Sequence, residues 1–236
     1  MLCEGGSVTL WRYMDLGKYT WMVQNKKLHF CRVDKFEDHF EGSYPLKNID
    51  DFGSPGNGYS AEEWKKFVVV SCWYNSDYES DAMWRIYSLG CQGVAIKSSR
   101  ERLERIIEAD GYLKDVRYID FIDEKADIKI PSDVVEYKRR AFIHENEVRA
   151  IITHYPHGEI QNGMPRNSEP IKGQEFPEFG HALDIDLSEL IECVVVSPYA
   201  HDWYFDVVNR LADEYALPQK IVSWSRLKGD PVYAKI

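Results

Sequence analysis

The sequence lacks the patterns that mark several large classes of protein. No run of apolar residues approaches the ~20 that a helix needs to cross a membrane. The nucleotide-binding patterns GxGxxG and GxxxxGK[ST] are absent, and so are the hydrolase patterns HExxH and GxSxG. Their absence argues against standard dinucleotide-binding proteins, P-loop NTPases, zinc proteases and α/β-hydrolases.

Cysteine is scarce and is not grouped. The sequence has five cysteines, at positions 3, 31, 72, 91 and 193, and no CxxC pair. An odd number at wide spacing predicts reduced thiols, mostly in the core, and neither a disulfide framework nor a zinc site. The first residues, MLCEGGSVTL, have no basic start and no apolar stretch of signal-peptide length. We therefore expect a cytoplasmic protein that needs no metal.

The chain also lacks an excess of positive charge. It has 29 Lys and Arg against 39 Asp and Glu, a formal net charge of −10. Non-specific nucleic-acid binding depends on neutralising phosphates, so we expect no bulk nucleic-acid binding and no membrane binding. A local basic pocket for a small anion or a nucleotide is compatible with this charge. The composition indicates no particular protein partner.

The composition is that of a folded globular protein. The 236 residues are 44% hydrophobic and 14% aromatic. Predicted strands outnumber helices and do not alternate strictly with them, which favours an α+β fold with a mixed β-sheet and flanking helices. We predict a single domain over 1–236, with an N-terminal tail at 1–9. The segment 155–180, rich in Pro and Gly, is predicted to be a long functional loop.

The pattern of apolar residues predicts the individual elements. Strands are expected at 10–14, 27–33, 67–73, 93–98, 116–121 and 147–154, and in the late segments HALDIDL, CVVVSP and IVSWS. Helices are expected at 17–25, at 81–88, from the serine cap of SSRERLERIIEADG to Gly111, at 132–145, and in HDWYFDVVNRLADEYAL. Residues 34–60 are expected to be rich in loops, and SAEEWKKF is expected to form a short helix.

Charged residues alternate at the start of one predicted strand. In FIHENEVRAII (142–152), Glu145, Glu147 and Arg149 lie two apart and share one face if the strand begins at Glu145. Helical spacing over 132–145 places Lys138 on the apolar stripe, directed toward the same point. Two interpretations follow. The bases neutralise the acids in a structural ladder, with a lysine that snorkels to water, or two acids and two bases form a functional cluster beside a pocket.

Other candidates lie on the early strands and one helix. Arg12 stands next to Tyr13 in LWRYMD, where an arginine among aromatics binds a phosphate or simply faces solvent. Ser71 and Trp73 share one face of VVVSCWYN. Trp84, in the helix MWRIY, is either a stacking platform or a core residue.

Eight segments resemble a bacterial and phage domain-of-unknown-function family, number 2971. In order over about residues 10–227, they are LWRYMD, KLHFCRVDKFEDHFEG, VVSCWYN, AMWRIYS, GVAIKS, VRYIDF, YKRRAFIHENEVRAII and VVVSPYAHDWYFDVVNRLADEYAL. The usual Asn-Asp-Pro turn of the family is Glu37-Asp38-His39 here. This resemblance implies no activity.

A second resemblance is to ADP-ribosyltransferases of the arginine–serine–glutamate class. These enzymes place an arginine on the first strand, a serine on a middle strand and Glu-x-Glu on a late strand. Arg12, Ser71 and Glu145-x-Glu147 follow that order, although the usual Ser-Thr-Ser is Ser-Cys-Trp here. The resemblance implies an ADP-ribosyltransferase-like fold, NAD as cofactor, and activity as a transferase or glycohydrolase.

The same resemblance implies a role for each residue. Glu147 is the catalytic acid that stabilises an oxocarbenium-like transition state, and Glu145 assists the acceptor. Ser71 supports the glutamate. The remaining candidates would contact the cofactor: Arg12 and Lys138 at its phosphates, one of Tyr13, Trp73 and Trp84 at the nicotinamide, and Arg149 beside them.

Two other functions stay open from the sequence. A metal-dependent nuclease or phosphoesterase would use Asp38, Glu41, Glu145 and Glu147 as ligands, with Lys138 as a stabilising charge. A binding module without catalysis would use the Glu and Arg residues as a structural ladder. The sequence does not decide whether the protein is an enzyme.

Overall fold

A computed structural model describes residues 8–52, 61–88, 91–129, 131–154, 160–161, 164–165, 175–218 and 221–231. Thirteen strands lie in these ranges: β1 Thr9–Asp15, β2 Lys27–Arg32, β3 Val68–Asn75, β4 Gly93–Ser99, β5 Gly111–Asp115, β6 Arg117–Ile119, β7 Tyr137–Arg139, β8 Glu147–Thr153, β9 Ile160–Gln161, β10 Met164–Pro165, β11 His181–Asp184, β12 Cys193–Val196 and β13 Val222–Trp224.

The described ranges also contain seven α-helices: α1 Leu16–Asn25, α2 Leu46–Phe52, α3 Ala61–Trp64, α4 Asp81–Tyr87, α5 Arg100–Ile107, α6 Leu187–Leu190 and α7 Asp202–Glu214. Short 3-10 helices add Val33–Lys35, Lys65–Phe67, Pro131–Glu136, Arg140–Glu145 and Arg226–Lys228. No helix in these ranges has the length and apolar character that crossing a membrane requires.

The chain divides into two compact units, each described by itself. Unit 1 comprises 1–28, 73–106 and 184–236, and unit 2 comprises 29–72 and 107–183. The chain therefore passes between the units four times. The predicted single-domain organisation stays a prediction.

Unit 1 is built on antiparallel strands with one parallel edge. β1 pairs antiparallel with β4 along its whole length, from Thr9 opposite Ser99 to Asp15 opposite Gly93. β4 pairs antiparallel with β12, and β12 pairs parallel with β13. α1 packs on β1, β4 and α7. Its first turn is capped by Asp15, whose side chain accepts a hydrogen bond from the Lys18 amide.

Unit 2 contains the strands that carry Lys138, Glu147 and Arg149. β2 pairs antiparallel with β3, with Cys31 opposite Val70. β8 pairs with β3 and, antiparallel, with β5. β6 and β7 form a separate parallel pair. Parallel and antiparallel pairs occur together with helices, so the predicted α+β class with a mixed sheet is confirmed.

The core of unit 2 forms around β3 and β8. Six of the seven residues of β8 are buried, as are the first four of β3. Such continuous burial is typical of strands covered on both faces. Val68, Val70 and Ile151 pack with Val135 and Tyr137 in one apolar cluster. Any charged side chain directed into this region therefore needs a charged or hydrogen-bonding partner.

Most predicted elements are confirmed within one or two residues. They include the strands at 10–14, 27–33, 67–73, 93–98 and 147–154 and the helices at 17–25 and 81–88. The serine cap of the helix after β4 is confirmed, since Ser99 Oγ accepts a hydrogen bond from the Arg102 amide at 3.3 Å. The helix HDWYFDVVNRLADEYAL and the three late strands are confirmed too.

The predicted helix over 132–145 is wrong. The segment forms a 3-10 helix at 131–136, strand β7, and a second 3-10 helix at 140–145. Tyr137, Lys138 and Arg139 pair with residues 117–119 of β6. This tertiary pairing overrides the weak helical periodicity of the segment. The β-branched residues Val134 and Val135 also lower its helix propensity.

Gly111 does not stop a helix as expected. It begins β5, which the sequence analysis did not predict, and lies opposite Ile152 of β8. A Cβ added at Gly111 would lie 2.2 Å from the Ile151 carbonyl oxygen. The glycine is therefore needed for the close approach of two strands, and the helix ends earlier, at Ile107.

The loop predictions are corrected in part. The region 34–60 contains helix α2, and the predicted tail 1–9 ends in the first residue of β1. The predicted long loop at 155–180 contains the short pair β9 and β10. In these regions, residues 1–7, 53–60, 155–159, 162–163 and 166–174 lie outside the described residues.

Candidate functional site

The two acids of the Glu-x-Glu pattern come from different elements. Glu147 is the first residue of β8, and Glu145 ends the 3-10 helix before it. Asn146 between them has a left-handed backbone, with φ of 35°. The strand therefore begins at Glu147, as predicted for 147–154, and the face that the strand residues share does not extend to Glu145. The turn at Asn146 nevertheless leaves both carboxylates against the same ammonium group.

Lys138 is the centre of the arrangement. Its Nζ donates to Glu147 Oε1 at 2.7 Å and to Glu145 Oε2, and lies 3.3 Å from Glu41 Oε1. Lys138 is 5% exposed. An ammonium group has three N–H donors, and here three carboxylates surround it. Lys138 thus faces inward as predicted, but from a strand and not from a helix.

Arg149 is the second cation and is fully buried. Its Nε donates to Glu147 Oε2 at 2.7 Å, and its Nη1 donates to the Val135 carbonyl at 2.7 Å. Its Nη2 donates to Glu41 Oε2. The predicted face shared by Glu147 and Arg149 is confirmed, because residues two apart in a strand point the same way.

Glu41 closes a ring of alternating charges. Each cation touches both Glu41 and Glu147, so the ring runs Glu147, Lys138, Glu41, Arg149 and back to Glu147. Glu145 extends it through Lys138. We call these five side chains the charged cluster. Its three carboxylates and two cations give a formal charge of −1 when all are ionised.

Aromatic rings surround the charged cluster. Lys138 Nζ lies 4.9 Å from the ring centroid of Phe142, and the Arg149 guanidinium carbon lies 5.5 Å from that of Phe36. Tyr118 Oη accepts a hydrogen bond from the Glu147 amide at 2.9 Å. Burial raises the pKa of Tyr118 to about 12, so its hydroxyl stays protonated at neutral pH. The low-polarity walls strengthen every charge interaction inside.

The two acids differ in protonation. Burial, together with a hydrogen bond to Glu147, raises the pKa of Glu145 to about 7. Burial alone would raise the pKa of Glu147 too, but Arg149, Glu145 and Lys138 together hold it well below its ordinary value. At neutral pH one carboxyl is fully ionised and the other is close to half protonated. Titratable pairs whose pKa values are driven apart are typical of acid–base catalysis.

The raised pKa of Glu145 predicts a pH dependence of stability. Between about pH 5 and about pH 7 the folded state keeps a proton at Glu145 that the unfolded chain has released. The free energy of unfolding should therefore fall by about 2 kcal/mol as the pH rises through this window. The lowered pKa of Glu147 also stabilises the folded state, but that stabilisation is lost only at more acidic pH. The contribution of Glu147 to the free energy of unfolding is therefore constant between about pH 5 and about pH 7.

Urea unfolding of the wild type and of Glu145→Gln at several pH values measures this effect. All other titratable groups are the same in both proteins, so the difference between the two pH profiles isolates Glu145. The variant should show a flatter profile between about pH 5 and about pH 7. Parallel profiles for the two proteins would contradict the assignment of this pKa.

A pocket of about 340 Å³ lies beside the charged cluster in unit 2. Glu41 belongs to both, since it forms part of the pocket wall and also bonds Arg149. The other lining residues come from the segment after β2 and from α3 with its 3-10 extension: Val33, Asp34, Phe36, Asp38, His39, Ser43, Glu62 and Lys65. A ligand in this pocket would therefore contact the charged cluster through Glu41.

The geometry disfavours the metal-dependent alternative. Its four predicted acidic ligands do not converge on a common vacant point, because Lys138 Nζ stands among three of them. The fourth, Asp38, pairs in bidentate fashion with Arg139, at 3.0 and 2.9 Å. Among the described residues no group of three or more His, Cys, Asp and Glu is arranged to hold a metal ion.

Four predicted site residues belong to unit 1. Tyr13, Trp73 and Trp84 are buried, and Tyr13 meets Trp84 edge to face at a centroid distance of 4.8 Å. Trp84 Nε1 also donates to Glu79 Oε2 at 3.1 Å. The Arg12 guanidinium carbon lies 5.8 Å from the Trp73 ring centroid. These aromatic rings pack against neighbouring side chains. Their contacts with a cofactor stay a prediction.

Ser71 is the remaining predicted site residue in unit 2, and Cys72 is its neighbour on β3. Ser71 is 1% exposed on β3. Burial raises the pKa of the Cys72 thiol, and the carboxylate of Glu147 raises it further. A thiol with a raised pKa is a poor nucleophile. Cys72 is therefore a core thiol, as the sequence indicated.

The sequence analysis missed the part that Glu41 plays. It named this residue only as a possible metal ligand, and it gave no role to Tyr118. Glu41 and Arg149 are 108 positions apart, so no local spacing connects them. The available signal was that an arginine inside an apolar strand needs more than one acidic partner.

Comparisons with known proteins give matches among solved structures. No family model matches the chain, and no curated protein matches it. Three solved structures of DarT from Thermus sp. 2.9 are similar at low identity. The complex with NAD+ has a TM-score of 0.46 and 9% identity, covering 95% of this chain and 98% of that chain. The complex with ADP-ribosylated ssDNA has a TM-score of 0.45 and 9% identity, covering 94% and 96%.

The complex with carba-NAD+ has a TM-score of 0.43 and 10% identity, covering 95% of this chain and 98% of that chain. Membership in family 2971 stays a prediction, because no family model matches. The expectation of no bulk nucleic-acid binding finds no support in these matches. At such low similarity, function is argued from the residues of this chain.

Proposed function

We propose that this protein is an NAD-using transferase or glycohydrolase of the ADP-ribosyltransferase type, with Glu147 and Glu145 as its catalytic carboxylates. One observation carries the proposal. The two carboxylates of the Glu-x-Glu pattern meet at Lys138, one firmly ionised and one with a pKa of about 7. Transfer of a glycosyl group to an acceptor needs both states. The ionised carboxylate offsets the positive charge of the transition state, and the carboxyl with a pKa near neutral takes the proton of the acceptor.

In the proposed reaction the bond between nicotinamide nitrogen and ribose C1′ breaks. Nicotinamide leaves with the bonding electron pair, and positive charge develops on the ribose. The ionised carboxylate of Glu147 stabilises that charge. The acceptor, water or another nucleophile, bonds to C1′ and gives its proton to Glu145 in its ionised form.

The contacts of Glu147 leave room for a substrate hydroxyl. Oε1 of Glu147 accepts a hydrogen bond from Lys138, and Oε2 accepts one from Arg149. The hydrogen bond with Glu145 uses a third acceptor position. An ionised carboxylate has about four lone-pair positions, so one remains for a substrate hydroxyl. In this proposal Lys138 and Arg149 orient Glu147. Lys138 is not a phosphate ligand, since its donors already face carboxylates.

Thermal denaturation with and without millimolar NAD tests the proposal. A ligand that binds only the folded state raises the midpoint by mass action. With a dissociation constant near ~10 µM, the expected rise is roughly 5–10 °C. Glu147→Gln should lose most of the rise, and Mn²⁺ alone should give none. An unchanged midpoint with NAD would count against the proposal, and a shift with Mn²⁺ alone would favour the nuclease alternative.

A second candidate is a binding module without catalysis. It is favoured by the pairing of Glu147 with both cations at 2.7 Å, with only 6% of the residue exposed. The predicted structural ladder has this same arrangement. In that case NAD produces no shift in the wild type, and the charged cluster acts on stability alone.

A further inference from the structure

Glu41 occupies a position in the charged cluster that neither the sequence pattern nor the proposed reaction uses. It lies in the turn after Asp38, where its amide donates to the Asp38 carbonyl at 3.0 Å. Gly42 follows with φ of 69°, and a Cβ there would lie 2.6 Å from Val33 Cγ1. The left-handed glycine lets the turn pack closely and directs Glu41 inward, where 6% of it is exposed.

The two oxygens of Glu41 hold the same two cations that hold Glu147. Oε1 lies 3.3 Å from Lys138 Nζ, and Oε2 accepts from Arg149 Nη2. Without Glu41, Lys138 keeps only Glu145 and Glu147 of its three carboxylates, and Glu147 is the only carboxylate left to Arg149 among the described contacts. Long cationic side chains lose much rotamer freedom in a fixed geometry, so a second carboxylate is needed to hold both in place.

We propose that Glu41 is a positioning residue, which fixes Lys138 and Arg149 against Glu147 and forms the wall between the charged cluster and the adjacent pocket. The inference rests on the proposed function for its catalytic meaning. Glu41 acts on the reacting carboxylates through the two cations, and from the pocket side it is the member of the charged cluster that a ligand meets.

A carboxyl titration tests the proposal without any substrate. The titratable and charged groups around Glu145 are Lys138 from β7, Glu147 from β8 and Tyr118 from β6, with Glu41 and Arg149 one contact further. Without the charge of Glu41, Lys138 is no longer held against Glu147 and shifts toward its short contact with Glu145, and a nearby negative charge is lost. Both effects favour the ionised form of Glu145, so its pKa should fall.

The experiment follows the Glu145 carboxyl by carbon-13 NMR in the wild type, Glu41→Gln and Glu62→Gln. Glu62 lines the same pocket but is exposed and has no contact with the charged cluster, so it is the matched control. We expect a lower midpoint in Glu41→Gln and the wild-type midpoint in Glu62→Gln. An unchanged midpoint in Glu41→Gln, or the same shift in both variants, would overturn the proposal.

A second variant covers the case in which Glu41→Gln does not fold. Glu41→Asp keeps the charge but is one methylene shorter and cannot reach both cations. Its Glu145 midpoint should also fall, by less than in a folded Glu41→Gln, and no fall at all would overturn the proposal. Because NAD is absent from this titration, its outcome is independent of whether NAD binds.

Discussion

Arg149→Met is expected to lower the free energy of unfolding by about 3–5 kcal/mol. The guanidinium is fully buried and donates to Glu147, Glu41 and the Val135 carbonyl. Methionine matches the aliphatic part of the arginine side chain but has no charge, so the variant leaves the three buried carboxylates of the charged cluster with one ammonium among them. Urea unfolding at neutral pH measures the loss.

Arg140→Met is the matched control for Arg149→Met. Arg140 also pairs with a carboxylate, Glu124 at 2.8 Å, but its side chain is 63% exposed. An exposed pair of this kind contributes about 0–1 kcal/mol. If the two variants lose the same stability, the charged cluster does not form in solution as described. A larger loss for Arg149→Met supports the closed ring of charges.

Glu147→Gln is expected to lower the rate of nicotinamide release from NAD by about 10²–10³-fold. Glutamine keeps the shape of the side chain and one acceptor oxygen, but it has no negative charge to offset the charge that develops on the ribose. In the wild type the rate should rise with pH through about 7, because the base form of Glu145 accepts the proton of the acceptor.

Glu136→Gln is the control for Glu147→Gln. Glu136 is equally buried and lies 3.1 Å from Lys114 Nζ, outside the charged cluster. Both variants are assayed at a temperature where circular dichroism shows them folded. The control should keep wild-type activity. A wild type that releases no nicotinamide at any pH would exclude the proposed reaction and leave the binding module.

Local patterns allowed much of unit 2 to be predicted. The strand at 147–154 followed from its pattern of apolar residues, and the shared face of Glu147 and Arg149 followed from the two-residue period of any strand. The strand at 67–73, which is β3 in the structure, followed from its β-branched residues. These features depend on neighbours in the chain, so the sequence determines them with little help from the rest of the molecule.

The helix predicted over 132–145 shows where local patterns fail. Lys138 was placed inward by helical spacing, and it does face inward, but because Tyr118 pairs with it across two strands. The inward direction was right and the geometry behind it was wrong. Pairing with β6 decides the conformation of residues 137–139. No local pattern within 132–145 indicates that β6 is the partner.

The sequence by itself determined the α+β class, the strand that carries Glu147, and the excess of acids over bases at its start. The tertiary structure decided which groups neutralise those acids. It brought Glu41 to Arg149 across 108 positions and turned the chain at Asn146 so that Glu145 meets Lys138. The physical reason is that buried charges must find partners wherever the folded chain supplies them, at any separation in sequence.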